Sequence, residues 1–299
     1  MSRIGIHSFV WSASSNREAL EKTLDQSREA GFDLIELSYL DPSHVDIPRL
    51  AKSIADRDLG VAISIGLPAE GDISSADKAT AERGVDILER TVALTRDLGG
   101  SKLAGILQTA HGLETSAPTA DSWKRSAHTL AEVAEKAKAA GVSLNIEIVN
   151  RFESNLLNTA AQGLAFIETS GSDNIFLHLD TFHMNIEEAD VALALRHAAG
   201  KIGYFHIGES HRGFLGTGSI DWVAIFDALV AIGYADDITF ESFSSEIVDE
   251  KLSRKTAIWR NLWQDNMELA KHARRFIDVG LETARRKQEL VTASHRPGA

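Results

Sequence analysis

The sequence predicts a (β/α)8 barrel, on the basis of three observations. Eight short apolar runs rich in β-forming residues recur along the 299 residues, and helix-compatible segments separate successive runs. A chain of this length is commonly a single domain when it forms an α/β barrel. Strict alternation of strands and helices is typical of a parallel sheet covered by helices, and eight strands favour a closed barrel over an open doubly wound sheet.

The predicted strands follow one another along the whole chain. They span residues 4–9, 34–37, 61–65, 102–107, 144–148, 175–179, 202–206 and 238–242. The helix-compatible segment 159–169 lies between the fifth and sixth runs, which is the pattern of a βαβ unit. A side chain that closes a strand in such a unit faces the ligand-binding side of the fold.

Helical periodicity and cap residues support the intervening helices. Apolar stripes at helical spacing comprise Trp123, Ala127, Leu130, Ala134 and Ala137, and then Val223, Phe226 and Val230. Glycines expected to end helices ahead of the next strand are Gly31, Gly60, Gly141 and Gly233. Ser219 and Asp221 are candidate caps at the start of the seventh helix.

The C-terminal part of the chain predicts one long helix and an extension. From about Asp249 the sequence becomes polar and helix-prone, and we interpret this stretch as the eighth helix. Its apolar residues at helical spacing are Trp259, Leu262, Trp263, Met267 and Ala270. Beyond Phe276 the sequence turns basic. We therefore divide the chain into a catalytic barrel, residues 1–275, and a basic C-terminal helical extension or tail, residues 276–299, which is either solvated or in contact with another subunit.

Composition excludes several classes of function. The net charge of −12 argues against nucleic acid or an anionic membrane as partner, so a small uncharged substrate is expected. Without cysteine there is neither a disulfide nor thiolate chemistry. No apolar run is long enough to cross a bilayer, and the N-terminus does not resemble a secretory signal, so the expected location is the cytoplasm. Glycine motifs of dinucleotide-binding and P-loop proteins are absent from the sequence.

Four strand ends in the second half of the chain carry side chains that can bind a metal ion. They are Glu147, Asp180, His206 and Glu241, separated by about one β/α unit each. Because the carboxyl ends of barrel strands meet on one rim, we expect these side chains to converge. Three carboxylates and one imidazole suit Mn²⁺, Mg²⁺ or Co²⁺ better than zinc.

Each of these residues also has an ordinary structural interpretation. A strand-end aspartate is often a helix cap, and a strand-end histidine is often only a hydrogen-bonded rim residue. Their recurrence at four successive strands favours a shared site. Further polar side chains that packing does not explain are Glu153, His183 and Arg212. Arg212 belongs to the loop GESHRGFLGTGS, which is either a surface turn or a glycine-rich loop that brings its backbone close to a ligand.

The sequence resembles the ketose 3-epimerases, the family of D-tagatose 3-epimerase and D-allulose 3-epimerase within the xylose-isomerase-like barrels. The resemblance lies in the segments IEIVNRFESNLLNTAAQG, LDTFHMNIEE and FHIGESHRG. The segments GIHSFVWSAS and FSSEIVDEKLSRKTAIWRNLW are more similar to the L-ribulose 3-epimerase branch. The similarity covers nearly the whole chain.

The resemblance implies a metal-dependent epimerisation of free ketoses at C3, with L-ribulose, D-tagatose and the D-allulose/D-fructose pair as the class of substrates. The implied ligands of one Mn²⁺, or alternatively Co²⁺ or Mg²⁺, are Glu147, Asp180, His206 and Glu241. Glu147 and Glu241 would also deprotonate and reprotonate C3 from opposite faces through a metal-stabilised enediolate. Glu153, His183 and Arg212 would hold substrate hydroxyls. Family members form homo-oligomers, either dimers or tetramers.

Two regions depart from the family pattern. Relatives that prefer D-hexuloses have a second tryptophan shortly after the one that matches Trp11, and an aromatic residue near the end of the fourth strand. Here those regions read SASSN and LQTAHG. The end of the pocket that receives the distal carbons of the sugar is therefore lined differently.

Other functions would use a similar site. An aldose–ketose isomerase, or a dehydratase acting on a polyol ketone, would keep the metal and move different protons. A metal-dependent endonuclease of this fold would need more histidine ligands for zinc and a basic groove, which the acidic charge argues against. A non-catalytic sugar-binding barrel would have lost one member of the pair Glu147 and Glu241, and both are present.

Overall fold

The structure is a computed structural model in which eight parallel strands form a closed barrel, as the sequence predicts. It describes residues 2–248 and 250–294, without the side chains of Lys251 and Lys255. The strands are β1 (Ile4–His7), β2 (Leu34–Ser38), β3 (Gly60–Leu67), β4 (Lys102–Ala110), β5 (Ser143–Ile148), β6 (Ile175–Asp180), β7 (Ile202–Ile207) and β8 (Ile238–Phe240). Each strand pairs with the next, and β1 pairs with β8 to close the barrel.

Helices occupy the connections between the strands. They are α1 (Arg17–Glu29), α2 (Ile47–Asp56), α3 (Lys78–Asp97), α4 (Ala120–Ala139), α5 (Ala160–Ser170), α6 (Thr181–Glu187), α7 (Val191–His197), α8 (Trp222–Ala231), α9 (Glu250–Thr256) and α10 (Asn266–Ser294). Asp221 caps α8 as predicted, since its carboxylate accepts a hydrogen bond from the Ala224 amide at 3.0 Å. Among the helices of the described residues, not one combines the length and apolar character needed to span a membrane.

The predicted helix-ending glycines are right in three cases and wrong in one. Gly31, Gly141 and Gly233 have φ values of 88°, 73° and 67°, the left-handed conformation that ends a helix. Gly60 is instead the first residue of β3. The left-handed residue after α2 is Asp58, with φ of 52°. Because α2 already ends at Asp56, Gly60 comes too late to act as its cap.

The prediction of one continuous helix from about residue 249 is wrong. Asp249 lies outside the described residues, and α9 ends at Thr256. Ala257 then adopts φ of 55°, which interrupts the helix, and residues 257–265 are irregular. The α10 helix starts where the Asp265 carboxylate accepts hydrogen bonds from the Met267 and Glu268 amides. The tryptophans at 259 and 263 thus follow helical spacing in a segment that is not helical.

The α10 helix crosses the boundary predicted between the barrel and the C-terminal extension. Ile277, Leu281 and Ala284 are buried against the core, so this part of the extension packs on the barrel. Residues 295–299 of the predicted extension lie outside the described residues. The division of the chain at residue 276 stays a prediction.

The inward face of the barrel becomes polar toward the carboxyl ends of the strands. Leu34 and Tyr204 belong to a small buried cluster with two alanines of β3 and β4. Because every second residue of a strand faces the same side, this face continues to Glu36 on β2 and to His206 on β7. Both side chains are buried. The apolar base of the barrel therefore leads into a buried polar site.

Candidate active site

The four predicted strand-end residues lie side by side on one rim of the barrel. Glu147 is on β5, Asp180 ends β6, His206 is on β7 and Glu241 directly follows β8. Ligand atoms of Asp180, His206 and Glu241 lie within 4.8 Å of one another. Glu147 belongs to two further groups of the same kind, one with Asp180 and one with His206. The structure thus brings all four together, because their strands are consecutive neighbours in the barrel.

This cluster fits a divalent cation. Nη1 of Arg212 lies 3.0 Å from Asp180 Oδ2 and 2.5 Å from Glu241 Oε2, which shows that the neighbouring carboxylates bind positive charge. Nδ1 of His206 is buried and makes no hydrogen bond among the described residues, although Glu241 Oε1 is 3.5 Å away. A free imidazole nitrogen beside three carboxylates is a donor set that suits Mn²⁺, Co²⁺ or Mg²⁺.

The two glutamates of the cluster differ in their electrostatic surroundings. Burial raises the pKa of Glu147, and the charge of Glu241 raises it further. Burial also acts to raise the pKa of Glu241, but Arg212 and His206 outweigh it and hold that pKa well below its usual range. Glu147 therefore holds a proton more strongly than Glu241. Surroundings that separate two carboxyl pKa values are suited to acid and base roles.

Glu36, a residue that sequence reasoning did not select, contacts the ring nitrogen of His206 that does not face the cluster. Nε2 of His206 lies 2.6 Å from Oε2 of Glu36, which also accepts a hydrogen bond from Tyr204 Oη at 2.7 Å. Burial raises the pKa of Glu36, but the charges of His206 and His7 outweigh it and hold the pKa at about 2. The ionised carboxylate keeps a hydrogen on Nε2 and leaves Nδ1 of His206 facing the cluster. The signal in the sequence was a charged residue inside the apolar run LIELS, because a buried charge needs a partner.

Two more buried histidines that sequence reasoning missed lie beside the cluster. Nδ1 of His7 accepts a hydrogen bond from the Phe9 amide, so Nε2 donates to Ser38 Oγ at 2.7 Å. The His178 ring packs edge-on against His206, with 4.0 Å between ring centroids. Burial lowers the pKa of His178 well below its usual value, so this ring is neutral. The signal for both was a histidine placed within a predicted strand.

Two of the predicted substrate-binding residues, His183 and Glu153, lie on the β5 side of the cluster, and both contact Asn150. Nε2 of His183 lies 3.6 Å from Glu147 Oε1, and its Nδ1 faces the Asn150 amide nitrogens. Asn150 Nδ2 also lies 3.0 Å from Glu153 Oε1. Burial raises the pKa of Glu153, but the charges of His183 and Arg212 and a hydrogen bond from His111 outweigh it and hold the pKa at about 2. Glu153 is thus an ionised acceptor inside the pocket.

Arg212, the third predicted substrate-binding residue, lies closer to the predicted metal ligands than the sequence indicated. Besides its bonds to Asp180 and Glu241, its guanidinium group stacks on the Phe182 ring at 3.9 Å. Arg212 lines the pocket together with its neighbours Ser210 and His211. The loop GESHRG is therefore part of the site and not only a surface turn.

A cavity of about 220 Å³ opens above the cluster. One wall is formed by Phe9, Tyr39 and His111, which follow β1, β2 and β4. The segment 252–262, which includes the end of α9 and the irregular stretch after it, supplies several of the lining residues. The site is thus a pocket of a size suited to a small molecule, with carboxylates and imidazoles among its lining residues.

Comparison with known proteins identifies the family. A family model described as a xylose isomerase-like TIM barrel matches residues 24–278. The L-ribulose 3-epimerase of Mesorhizobium japonicum is 78% identical over 99% of this chain and 100% of its own length. The ketose 3-epimerase of Arthrobacter globiformis is 41% identical over 92% of this chain and 95% of its own length. A solved structure of L-ribulose 3-epimerase superimposes with a TM-score of 0.97 at 79% identity, covering 99% of this chain and 100% of that one.

The residues matched by the family model, 24–278, span β2 to β8 and the positions of the strand-end cluster. The chain belongs to the ketose 3-epimerases among the xylose isomerase-like TIM barrels, which are enzymes of the isomerase class.

Proposed function

We propose that this enzyme epimerises free ketoses at C3 and that L-ribulose is its preferred substrate. The observation that supports this most is the pair Glu147 and Glu241, two carboxyl groups at one cation-binding cluster whose pKa values are shifted in opposite directions. The high similarity to a relative named L-ribulose 3-epimerase supports the choice of sugar. D-tagatose and the D-allulose/D-fructose pair are the other ketoses of the class.

Glu147, Asp180, His206 and Glu241 would hold one Mn²⁺ ion, with Co²⁺ or Mg²⁺ as alternatives. When bound, such an ion acts as a Lewis acid that stabilises negative charge developing on substrate oxygens. The donor set described above is the support for this assignment.

The proton transfers are assigned to the two glutamates. Glu241, ionised, removes the proton from C3, and the C–H electron pair moves toward the C2 carbonyl to form an enediolate. Glu147, protonated, then delivers a proton to the opposite face of C3, and the carbonyl is restored. The reverse reaction exchanges the two roles, and no oxidant or reductant is consumed. Positioned acid and base groups of this kind each contribute about 10²- to 10⁴-fold to the rate.

Other side chains of the pocket would hold the sugar. Glu153 and His183 offer hydrogen-bond partners for hydroxyl groups, and Arg212, which belongs to the loop after β7, provides a positive charge beside the cluster. Carboxylates outnumber guanidinium groups in the pocket lining, which disfavours a phosphorylated sugar. The substrate is therefore a free ketose.

A product screen tests this function. The enzyme with added Mn²⁺ is incubated separately with ketopentoses and ketohexoses, and the products are identified by chromatography against standards. C3 epimers are the expected products, and L-ribulose should give the highest turnover. Aldoses as products would indicate an aldose–ketose isomerase, and loss of water would indicate a dehydratase. The homo-oligomer that the family resemblance implies stays a prediction.

A further inference from the structure

Tyr39 has an unusual backbone conformation at the pocket wall. It directly follows β2, and its φ is 52°, a left-handed conformation that is disfavoured for an aromatic residue. Its amide donates a hydrogen bond to the Ser64 carbonyl at 3.2 Å. The ring is parallel to that of Phe9, with an interplanar angle of 3°. Backbone strain that is maintained at a pocket often has a functional reason.

The side chain of Tyr39 begins a chain of hydrogen bonds that ends on Glu153. Tyr39 Oη lies 3.3 Å from His111 Nδ1, and His111 Nε2 lies 3.0 Å from Glu153 Oε2. Since the ionised carboxylate can only accept, Nε2 of His111 carries a hydrogen and donates it. Nδ1 of His111 is within hydrogen-bond distance of the Tyr39 hydroxyl, which can donate to it when that nitrogen carries no hydrogen. The Glu153 carboxylate thus places the hydrogen on Nε2, and the Tyr39 hydroxyl contacts the other nitrogen and holds the ring in this orientation.

The surrounding backbone holds this chain in place. The His111 amide donates to the Leu67 carbonyl, and the Gly112 amide donates to the Glu153 carbonyl, each at 2.8 Å. A Cβ atom added to Gly66 would lie 2.8 Å from both Tyr39 Oη and His111 Nδ1. A glycine at position 66 therefore leaves the room that the contact between the two side chains needs.

We propose that Tyr39 and His111 are positioning residues that orient the Glu153 carboxylate toward a hydroxyl group of the ketose. The inference rests on the proposed function of the same pocket and adds two residues to it. Asn150 holds one carboxylate oxygen of Glu153 and His111 holds the other, so each oxygen keeps a lone pair for the sugar. Without the Tyr39 hydroxyl, the His111 ring loses its contact at Nδ1 and is free to rotate, and Glu153 loses a fixed direction.

Kinetics with L-ribulose and Mn²⁺ test the proposal. Tyr39→Phe removes only the hydroxyl. Gly66→Ala places a Cβ atom against the contact between Tyr39 and His111 without altering either side chain. Both variants should raise KM about two- to tenfold, the effect of one lost hydrogen bond, while kcat changes by less than about twofold and metal content stays the same. His111→Gln keeps a donor within reach of Glu153 and should restore KM partly relative to His111→Ala.

A matched control is Tyr234→Phe. This variant also loses a tyrosine hydroxyl bond, from Tyr234 Oη to the Asp237 carbonyl at 2.8 Å, but it lies outside the pocket lining. Its KM should equal that of the wild type. An equal KM increase in this control would show that the effect of Tyr39→Phe is general destabilisation and would overturn the proposal.

NMR of ¹⁵N-histidine-labelled protein tests the chain of hydrogen bonds independently of activity. His111, assigned by its absence in His111→Gln, should carry its hydrogen on Nε2 in the wild type and should populate a second state in Tyr39→Phe. An unchanged His111 signal together with an unchanged KM in Tyr39→Phe would overturn the inference. A wild type that epimerises no ketose would overturn the proposed function, and the NMR result would still decide the coupling between Tyr39 and His111.

Discussion

The Glu36 carboxylate lies 2.6 Å from Nε2 of His206, and both side chains are buried inside the barrel. A carboxylate behind a metal-binding histidine fixes the ring and its tautomer, and the loss of such a partner typically weakens metal binding about 10- to 100-fold. This relationship joins the second strand of the barrel to the seventh.

We expect Glu36→Gln to bind Mn²⁺ about 10- to 100-fold more weakly than the wild type, because the amide keeps the shape but loses the charge. Isothermal titration calorimetry on the metal-free enzyme measures the affinity. Tyr204→Phe, which removes the other hydrogen bond to Glu36, should have a smaller effect of the same sign. Equal Mn²⁺ affinity in Glu36→Gln and wild type would exclude a supporting role for Glu36.

Asp180→Asn and His206→Ala should lose metal and activity together, because both residues belong to the strand-end cluster. Elemental analysis of the purified variants checks this. Full occupancy in both would show that the ion binds elsewhere.

Arg212→Ala should retain its metal. The guanidinium group forms ion pairs with Asp180 and Glu241. Its removal takes away a cation that competes with the metal for these carboxylates, so metal affinity should be equal or higher. The variant should have a lower apparent affinity for ketose and a lower turnover than the wild type. A variant that lost its metal and bound the sugar normally would contradict this assignment.

Glu153 should make stability depend on pH in the acid range. Its pKa is about 2 in the folded protein against an ordinary value of 4.5, so it stabilises the fold above pH 4.5, and this contribution is lost as the pH falls toward 2. The shift corresponds to at most about 3 kcal/mol. Urea unfolding of the wild type and Glu153→Gln over this range should show a steeper loss of stability in the wild type.

A control of opposite sign for this measurement is Glu188. Burial raises the pKa of its carboxyl group, so Glu188 favours the folded state less as the pH rises through its pKa. The free energy of unfolding of Glu188→Gln should therefore fall less than that of the wild type as the pH rises through this pKa. Parallel curves for the wild type and Glu153→Gln would show that Glu153 is not held ionised by the fold.

The convergence of the four strand-end residues follows from the order of the strands. Glu147, Asp180, His206 and Glu241 close four consecutive strands, and consecutive strands of a parallel barrel are neighbours, so their convergence could be inferred without coordinates. Glu36 is different, because its partner His206 is 170 residues away and on a strand that is not adjacent. Only the closure of the barrel brings their inward faces together.

The irregular segment 257–265, part of which lines the pocket, could not be predicted from periodicity. Trp259, Leu262 and Trp263 have helical spacing, but the left-handed residue Ala257 and the cap at Asp265 divide the segment into two helices with an irregular stretch between them. Such a stretch is determined by tertiary contacts, for example those of Ile258 with the cluster of Phe9 and Phe243. Local spacing contains no information about those contacts.

The proposed mechanism requires Glu147 and Glu241 to exchange the proton at C3 of a ketose. If they do, Glu147→Gln and Glu241→Gln should each abolish turnover, because an amide cannot accept the proton, and the double variant should be no worse than either single one.

The most direct measurement is NMR of the products formed from L-ribulose by the Mn²⁺-loaded enzyme in D₂O. We expect deuterium at C3 of the epimer and no deuterium at C1. Exchange at C1 with C3 unlabelled, together with formation of an aldose, would contradict the proposed mechanism.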